Sequence, residues 1–146
     1  MPRPPLALAA LAALALRAAP TGAVPSAEPE TARFERCTSA PRVDCVVDGD
    51  TFWYRARKIR IADINAPETH GPACPREAEL GAAATARLQA LLNAGAFSLE
   101  PWADGRDRDR YGRLLRTVTR DGSSVGNALV REGLAEVWRG GRGSWC

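Results

Sequence analysis

The chain has 146 residues, which is enough for one domain of ordinary size, or for a smaller domain once a targeting segment is removed. Its formal net charge is +3, but the chain from Glu28 onward carries 18 basic and 17 acidic side chains. A diffuse basic surface for nucleic acid is therefore weakly supported, and any nucleic-acid function must come from a local site.

The first 27 residues are typical of a secretory signal peptide. Arg3 precedes an uninterrupted apolar run from Leu6 to Leu16, and small residues and prolines follow through Ala27. The run is shorter than the about 20 apolar residues that a membrane helix needs. We predict export to the periplasm or the medium, with cleavage near residue 23 or 27; a disordered Ala/Pro leader is the alternative. Residues 28–36 are expected to be a flexible leader, and residues 37–146 to form the domain.

Four cysteines form an even set: Cys37, Cys45, Cys74 and Cys146. In an exported protein this predicts two disulfides, for which three connectivities exist. We favour Cys37–Cys45 with Cys74–Cys146. A zinc site is disfavoured, because the spacings lack paired CxxC motifs and the chain has a single histidine.

Five strands and two helices are predicted in chain order. Apolar and β-branched patterns indicate strands at residues 43–47, 51–54, 58–64, 97–102 and 114–119. Helical periodicity indicates helices at residues 75–92 and 127–137, the first opened by Pro75 and followed by Gly95. This order predicts an α+β domain with a small, closed or partly open, OB-like barrel capped by helices.

Three polar clusters accompany these strands: residues 48–51 (DGDT), Arg60 with residues 65–68 (NAPE), and residues 109–113 (DRYGR). Together they contain the groups that phosphodiester hydrolysis needs. Carboxylate and carbonyl oxygens can hold a hard cation, arginines match phosphate geometry, and a further carboxylate can orient water.

Each cluster alone also has a structural interpretation. The DGDT segment can be the tip of a hairpin. Arg60 can form a structural ion pair with Glu68 or Asp63, since an unpaired buried guanidinium is costly. Residues 111–113 can simply lead from a loop into a strand.

The order and spacing of four segments, VVDGDTF, IRIADINAPET, DRYGRLLRTV and NALVREGLAEV, resemble the thermonuclease (staphylococcal nuclease-like) family from roughly Cys45 to Trp138. The resemblance implies a five-stranded OB-like β-barrel with about three helices. It also implies calcium-dependent hydrolysis of DNA and RNA that leaves 3′-phosphate ends.

The resemblance assigns roles by position. Arg60 and Arg113 would be catalytic, binding the phosphate and stabilising the transition state, and Glu68 would be catalytic through the attacking water. Asp50, Asn65 and the backbone carbonyl of Ala66 would bind Ca²⁺, with Asp48 contacting the metal's ligands. Tyr111 would line the nucleotide pocket.

Asn65 departs from the family pattern, in which many members have a second metal-binding aspartate. Its amide still offers an oxygen that Ca²⁺ accepts, but one negative charge is lost. A unit charge pair at about 4 Å is worth about 4 kcal/mol at an effective dielectric constant near 20. We expect weaker metal binding with a surviving site, which Asp63 would help if it shared the face of Asn65.

The leading hypothesis is an exported, calcium-dependent nuclease that acts on DNA and RNA, single-stranded or locally opened. We expect a monomer that makes no membrane contact once the signal is cleaved. The alternatives are a non-catalytic OB module that binds nucleic acid or protein, and a structural domain of the cell envelope. The four tryptophans are not adjacent in sequence, so we expect them to pack in the core or at its rim and not to form a platform for base stacking.

Overall fold

The structure of the protein is a computed structural model that describes residues 1–2, 28–38 and 40–146. The predicted signal peptide falls almost entirely outside the described residues and stays a prediction. Within the described ranges, no helix combines the length and apolar character that crossing a bilayer requires.

The described residues form nine strands and two helices. Their bounds in chain order are β1 (Glu35–Arg36), β2 (Cys45–Asp48), β3 (Thr51–Tyr54), β4 (Arg57–Ile61), β5 (Ile64–Asn65), α1 (Pro75–Asn93), β6 (Ser98–Pro101), β7 (Leu114–Arg120), β8 (Ser123–Ser124), α2 (Val125–Arg131) and β9 (Glu136–Val137).

Seven strands make one mixed sheet in the order β1-β2-β3-β4-β7-β6, with β8 paired to β7. The β1–β2 and β4–β7 pairs are parallel, and the other pairs are antiparallel. Strands β5 and β9 form a separate antiparallel pair. The α+β class is therefore confirmed. The closed five-stranded barrel and the third helix are not seen in the described part of the chain, where β1 and β6 remain the ends of the sheet.

An aromatic cluster fills the core between the sheet and α1. Phe34, Phe52, Tyr54 and Phe97 are almost fully buried, with ring centroids 5.7 to 6.0 Å apart. Full burial of each such side chain contributes roughly 1.5–3 kcal/mol. The apolar stripe of α1 closes the core through Leu88 and Leu92, as its periodicity predicts.

Gly49 allows α1 to approach the β2–β3 turn closely. A Cβ atom at this position would lie 2.6 Å from the Cβ of Ala84 and 2.8 Å from the Cβ of Ala66. Any larger residue would push the helix or the segment after β5 away. The glycine therefore brings the Asp48-Gly49-Asp50 turn and the NAPE segment together.

Three predicted boundaries are wrong. The expected strand at 58–64 is two strands, since β4 ends at Ile61 and a turn precedes β5. The expected helix at 127–137 ends at Arg131, because Gly133 adopts a φ of 73° and residues 136–137 then pair with β5. Residues 28–36 are not a flexible leader: Phe34 is in the core, and Glu30 makes backbone hydrogen bonds to Phe97.

Both disulfides have the favoured pairing. Cys37–Cys45 connects the residue after β1 to the start of β2, and Cys74–Cys146 ties the last residue to the one before α1. Loop-closure entropy assigns these crosslinks about 2.5 and about 4.4 kcal/mol of stabilisation, respectively. The second crosslink brings the C-terminal tail beside the NAPE segment.

Candidate functional site

Asp50 is fixed at the end of the β2–β3 turn. Its side chain is buried and accepts hydrogen bonds from the backbone N–H of Ala66 at 2.8 Å and from the Thr51 hydroxyl at 2.9 Å. The backbone N–H of Asp50 in turn donates to Asp48 at 3.1 Å. These bonds hold the carboxylate against the NAPE segment.

Arg60 on β4 pairs with Asp50. Its Nη2 lies 3.3 Å from Oδ2 of Asp50, and its Nη1 donates to the carbonyls of Ile61 and Ile64, the latter at 2.9 Å. The alternative partners considered from the sequence, Glu68 and Asp63, are therefore wrong. Two backbone carbonyls and one carboxylate orient this buried guanidinium, whose side chain also lines a cavity.

Negative charge is concentrated around the turn. Burial, together with the charges of Asp50 and Glu68, raises the pKa of Asp48 from 3.8 to about 7. A carboxyl group whose ionisation is opposed by two neighbouring carboxylates lies where a cation would be stabilised. This places Asp48, Asp50 and Glu68 in one electrostatic neighbourhood.

Asn65 has a structural partner that the sequence did not reveal. Its Nδ2 donates to Oε1 of Glu136, its cross-strand neighbour, at 2.8 Å. The same oxygen accepts the backbone N–H of Gly143 at 2.7 Å. An amide therefore suits this position, because an aspartate would place two carboxylates against each other.

Asp63 does not restore the missing charge next to Asn65. The strand ends before it, and its Oδ2 accepts a hydrogen bond from the Ser124 hydroxyl at 2.6 Å, at the start of α2. The regular alternation that would have put Asp63 and Asn65 on one face is broken by the turn between β4 and β5.

Glu68 follows Pro67 in the loop before α1. Glu77 of α1 holds this loop by accepting the backbone N–H groups of Glu68 and Ala73 at 3.2 and 2.6 Å. These two hydrogen bonds lower the pKa of Glu77. The Glu68 carboxylate is partly exposed and forms an ion pair with Arg142 of the C-terminal tail, with Oε1 and Nη1 2.5 Å apart.

Arg113 is positioned by its own loop. The carboxylate of Asp109 accepts hydrogen bonds from Nε of Arg113 at 2.7 Å and from the backbone N–H of Arg113 at 3.0 Å. Burial raises the pKa of the Asp109 carboxyl, but the hydrogen bonds and charge of Arg113 outweigh that effect and lower it overall. The ring of Tyr111, which is 67% exposed, lies 5.5 Å from the Arg113 guanidinium.

A cavity of about 460 Å³ collects these groups. Its lining includes one acidic residue, Asp109, together with five arginines and three aromatic residues. The arginines are Arg60, Arg106, Arg110, Arg113 and Arg142, and the aromatic residues are Trp102, Tyr111 and Trp138. The near-neutral chain thus has a strongly basic concavity, and its guanidinium groups and aromatic rings suit the phosphates and the bases of a nucleic acid.

Glu68 lines a second cavity, of about 310 Å³, with Asn65 and Ala66. Arg142 lines both cavities. The predicted residues are therefore brought together in two adjoining hollows: Arg60 and Arg113 in one, Glu68 in the other, and Asp50 buried behind Arg60.

Sequence reasoning missed Glu136, Arg106 and Arg142 as members of this neighbourhood. Only the Cys74–Cys146 pairing offered a signal for Arg142, since it returns the tail to the loop before α1. Asp109 was recognised within its cluster but was given no role.

The oxygen donors fit a hard cation in their chemistry. Carboxylate oxygens of Asp50 and Asp48, the amide oxygen of Asn65 and the carbonyl of Ala66 are ligand types that Ca²⁺ accepts. Across the ranges that the structure describes, no three His, Cys, Asp or Glu side chains are grouped as a metal site. A cation here would depend on backbone, amide and water oxygens.

Comparison with known proteins gives a consistent result. The family model described as "Staphylococcal nuclease homologue" matches residues 58–143. Endonuclease YncB of Bacillus subtilis (strain 168) is 40% identical over 100 residues, covering 65% of this chain and 46% of the relative. The SPbeta prophage-derived endonuclease YokF of the same organism is 41% identical over 100 residues, covering 65% of this chain and 33% of the relative.

This chain thus spans less than half the length of either relative. The segment that the family model matches nevertheless contains β4 except for Arg57, β5 to β9, and both arginines of the predicted site. With the family model covering more than half of its residues, the chain belongs to the staphylococcal nuclease-like (thermonuclease) family.

Proposed function

We propose that the protein is an exported, calcium-dependent nuclease that hydrolyses phosphodiester bonds of DNA and RNA and leaves 3′-phosphate ends. One observation carries the proposal: a cavity with five arginines, including Arg60 and Arg113, adjoins the hollow that contains Glu68. Guanidinium groups that can bind the phosphate thus lie beside a carboxylate that can orient the attacking water.

The substrate class follows from the lining of the basic cavity. Guanidinium groups bind phosphate oxygens in a bidentate manner and stay charged at any working pH. The exposed ring of Tyr111 offers a base a surface for stacking, and such stacking tolerates every base. Contacts to phosphates and stacking carry no sequence information, so little sequence specificity is expected.

The residues have distinct roles in hydrolysis. Arg60 and Arg113 stabilise the negative charge that grows on the phosphate oxygens in the transition state. Glu68 orients the attacking water and accepts its proton. Asp109 keeps Arg113 in place, and Asp50 does the same for Arg60.

Asp50, the amide oxygen of Asn65 and the carbonyl of Ala66 would hold Ca²⁺, with Asp48 behind them. When bound, the cation neutralises phosphate charge and helps to orient water. The raised pKa of Asp48 supports a cation at this place. Export is supported by the predicted signal peptide and by the two disulfides, which persist in oxidising compartments.

Digestion of single-stranded DNA and RNA by the purified protein tests the proposal, with millimolar calcium and with EDTA. We expect calcium-dependent cleavage, fragments that a 3′-phosphatase makes extendable by a polymerase, and loss of cleavage in Glu68→Ala and Arg113→Ala. Equal activity of all variants, with and without calcium, would contradict the assignment.

A non-catalytic OB module that binds nucleic acid or a protein is the second candidate. Asn65 favours it, because its amide removes one charge from the metal ligands and is engaged by Glu136. This function predicts binding without calcium-dependent cleavage and no effect of Glu68→Ala.

A further inference from the structure

The C-terminal tail, residues 139–146, carries a guanidinium into the site. Arg142 lines the five-arginine cavity and the Glu68 cavity. Its Nη1 lies 2.5 Å from Oε1 of Glu68. The tail therefore reaches the point where the two hollows adjoin.

Two attachments hold Arg142 there. Four residues later, Cys146 is joined by a disulfide to Cys74, directly before α1. One residue later, the backbone N–H of Gly143 donates to Glu136 at 2.7 Å. A Cβ atom at position 143 would overlap the Glu136 carboxylate, so a larger residue there would require the Glu136 side chain to shift.

Arg142 differs from the two arginines predicted from the sequence. The side chains of Arg60 and Arg113 are 11% and 20% exposed and are held by Asp50 and Asp109. The Arg142 side chain is 62% exposed, and its ion-pair partner among the described residues is Glu68. An exposed ion pair is weak and can be exchanged for a phosphate at little cost.

We propose that Arg142 is a third phosphate-binding residue, which takes a nucleic-acid phosphate next to the scissile one and which the Cys74–Cys146 disulfide keeps in reach. In the free protein Arg142 rests on Glu68; when a phosphate binds, it moves to the phosphate and releases the carboxylate. The inference rests on the proposed nuclease function and adds a residue and a tether to it.

Binding of a short fluorescein-labelled oligothymidylate in EDTA, followed by fluorescence anisotropy at several salt concentrations, separates this role from catalysis. Arg142→Ala should weaken binding roughly tenfold and reduce the slope of log affinity against log salt by about 0.7, as expected for one lost contact to a single strand. Arg142→Lys should keep the slope. Arg139→Ala, an exposed arginine of the same tail, is the matched control and should change both quantities less.

The role of the disulfide as a tether is tested with the double variant Cys74→Ser/Cys146→Ser. This variant is assayed well below its own melting temperature, after circular dichroism has confirmed that it is folded. Its affinity should fall as far as that of Arg142→Ala, and adding Arg142→Ala should cause little further loss, because the two changes act through one contact. In calcium, Arg142→Ala should raise KM and leave kcat within about twofold.

The outcomes distinguish the inference from the function on which it rests. A wild-type protein that neither binds nor cleaves overturns both. A wild-type protein that binds and cleaves, with Arg142→Ala matching Arg139→Ala, overturns only the phosphate role. A higher kcat with unchanged binding in Arg142→Ala would make Arg142 a mere inhibitor of Glu68 and also overturn it. Unchanged affinity in the cysteine variant overturns the tether.

Discussion

The carboxylate of Asp50 lies 3.3 Å from the guanidinium of Arg60, and the two side chains are only 10% and 11% exposed. Neither residue can be removed alone without leaving a charge in a poorly solvated place. The ion pair therefore contributes to the stability of the fold and also holds two residues of the candidate site in position.

Arg60→Met should lower the free energy of unfolding by about 3 kcal/mol, because breaking a buried ion pair leaves its partner's charge uncompensated. Urea denaturation in EDTA measures the change. Arg57→Met, at an exposed position of the same strand, is the control and should stay within about 0.5 kcal/mol of wild type. A loss no larger than that of the control would show that the hydrogen bonds to Ala66 and Thr51 satisfy Asp50 by themselves.

Asn65→Asp should lower the calcium concentration needed for half-maximal activity, because it adds a negative charge beside Asp50. It should also destabilise the calcium-free protein by about 1–3 kcal/mol, since the hydrogen bond to Glu136 becomes a contact between two carboxylates. Combining it with Glu136→Gln restores a donor and should recover the stability. Calcium titration of cleavage and urea denaturation measure the two effects, and unchanged calcium dependence would exclude Asn65 as a ligand.

Asp109→Asn should reduce kcat by about tenfold, because a weaker hydrogen bond lets Arg113 leave its position. In a double-mutant cycle, adding this change to Arg113→Ala should have little further effect. Asp107→Asn is the control: Asp107 lies in the same loop as Asp109, but its exposed carboxylate pairs with Arg116 of β7 and not with Arg113. Additive effects of Asp109→Asn and Arg113→Ala would mean that Asp109 acts independently of Arg113.

The raised pKa of Asp48 predicts how calcium-free stability depends on pH. Between 3.8 and about 7 the folded state holds a proton that the unfolded state has released. The free energy of unfolding should therefore fall as pH rises through this window, and the contribution of Asp48 is fully present only below it. Asp48→Asn keeps an oxygen that accepts the hydrogen bond from the Asp50 N–H but cannot ionise. Its free energy of unfolding, measured by urea denaturation in EDTA, should therefore fall less between about pH 5 and about pH 8 than that of the wild type. Identical slopes in both proteins would contradict the assignment.

Local patterns predicted the elements well where one residue pattern determines the structure. The limits of β3 follow from its β-branched and aromatic residues directly after the Asp48-Gly49-Asp50 turn. Those of α1 follow from Pro75 and the apolar stripe of the helix. The early end of α2 depends on Gly133, which lies inside the predicted helix at 127–137 and whose positive φ ends the helical path. Phe34 stands among polar residues, so its place in the core follows from long-range packing that no local period reveals.

The same limit applies to the site. The order of the DGDT, NAPE and DRYGR segments identified Asp50, Arg60, Glu68 and Arg113 as candidates. The partners of these residues depend on contacts across the chain: Asp50 for Arg60, Glu136 for Asn65, and Arg142 for Glu68. Such contacts between distant segments follow from the assembled sheet and the second disulfide.

The most direct test of the central claim is the single-turnover rate of DNA cleavage by Glu68→Gln in saturating calcium, measured beside its affinity for the same DNA in EDTA. If Glu68 serves the attacking water next to the arginine-lined cavity, the rate should fall by about 10²–10⁴-fold while affinity stays within a few-fold of wild type. A Glu68→Gln protein that cleaves at the wild-type rate would contradict the account.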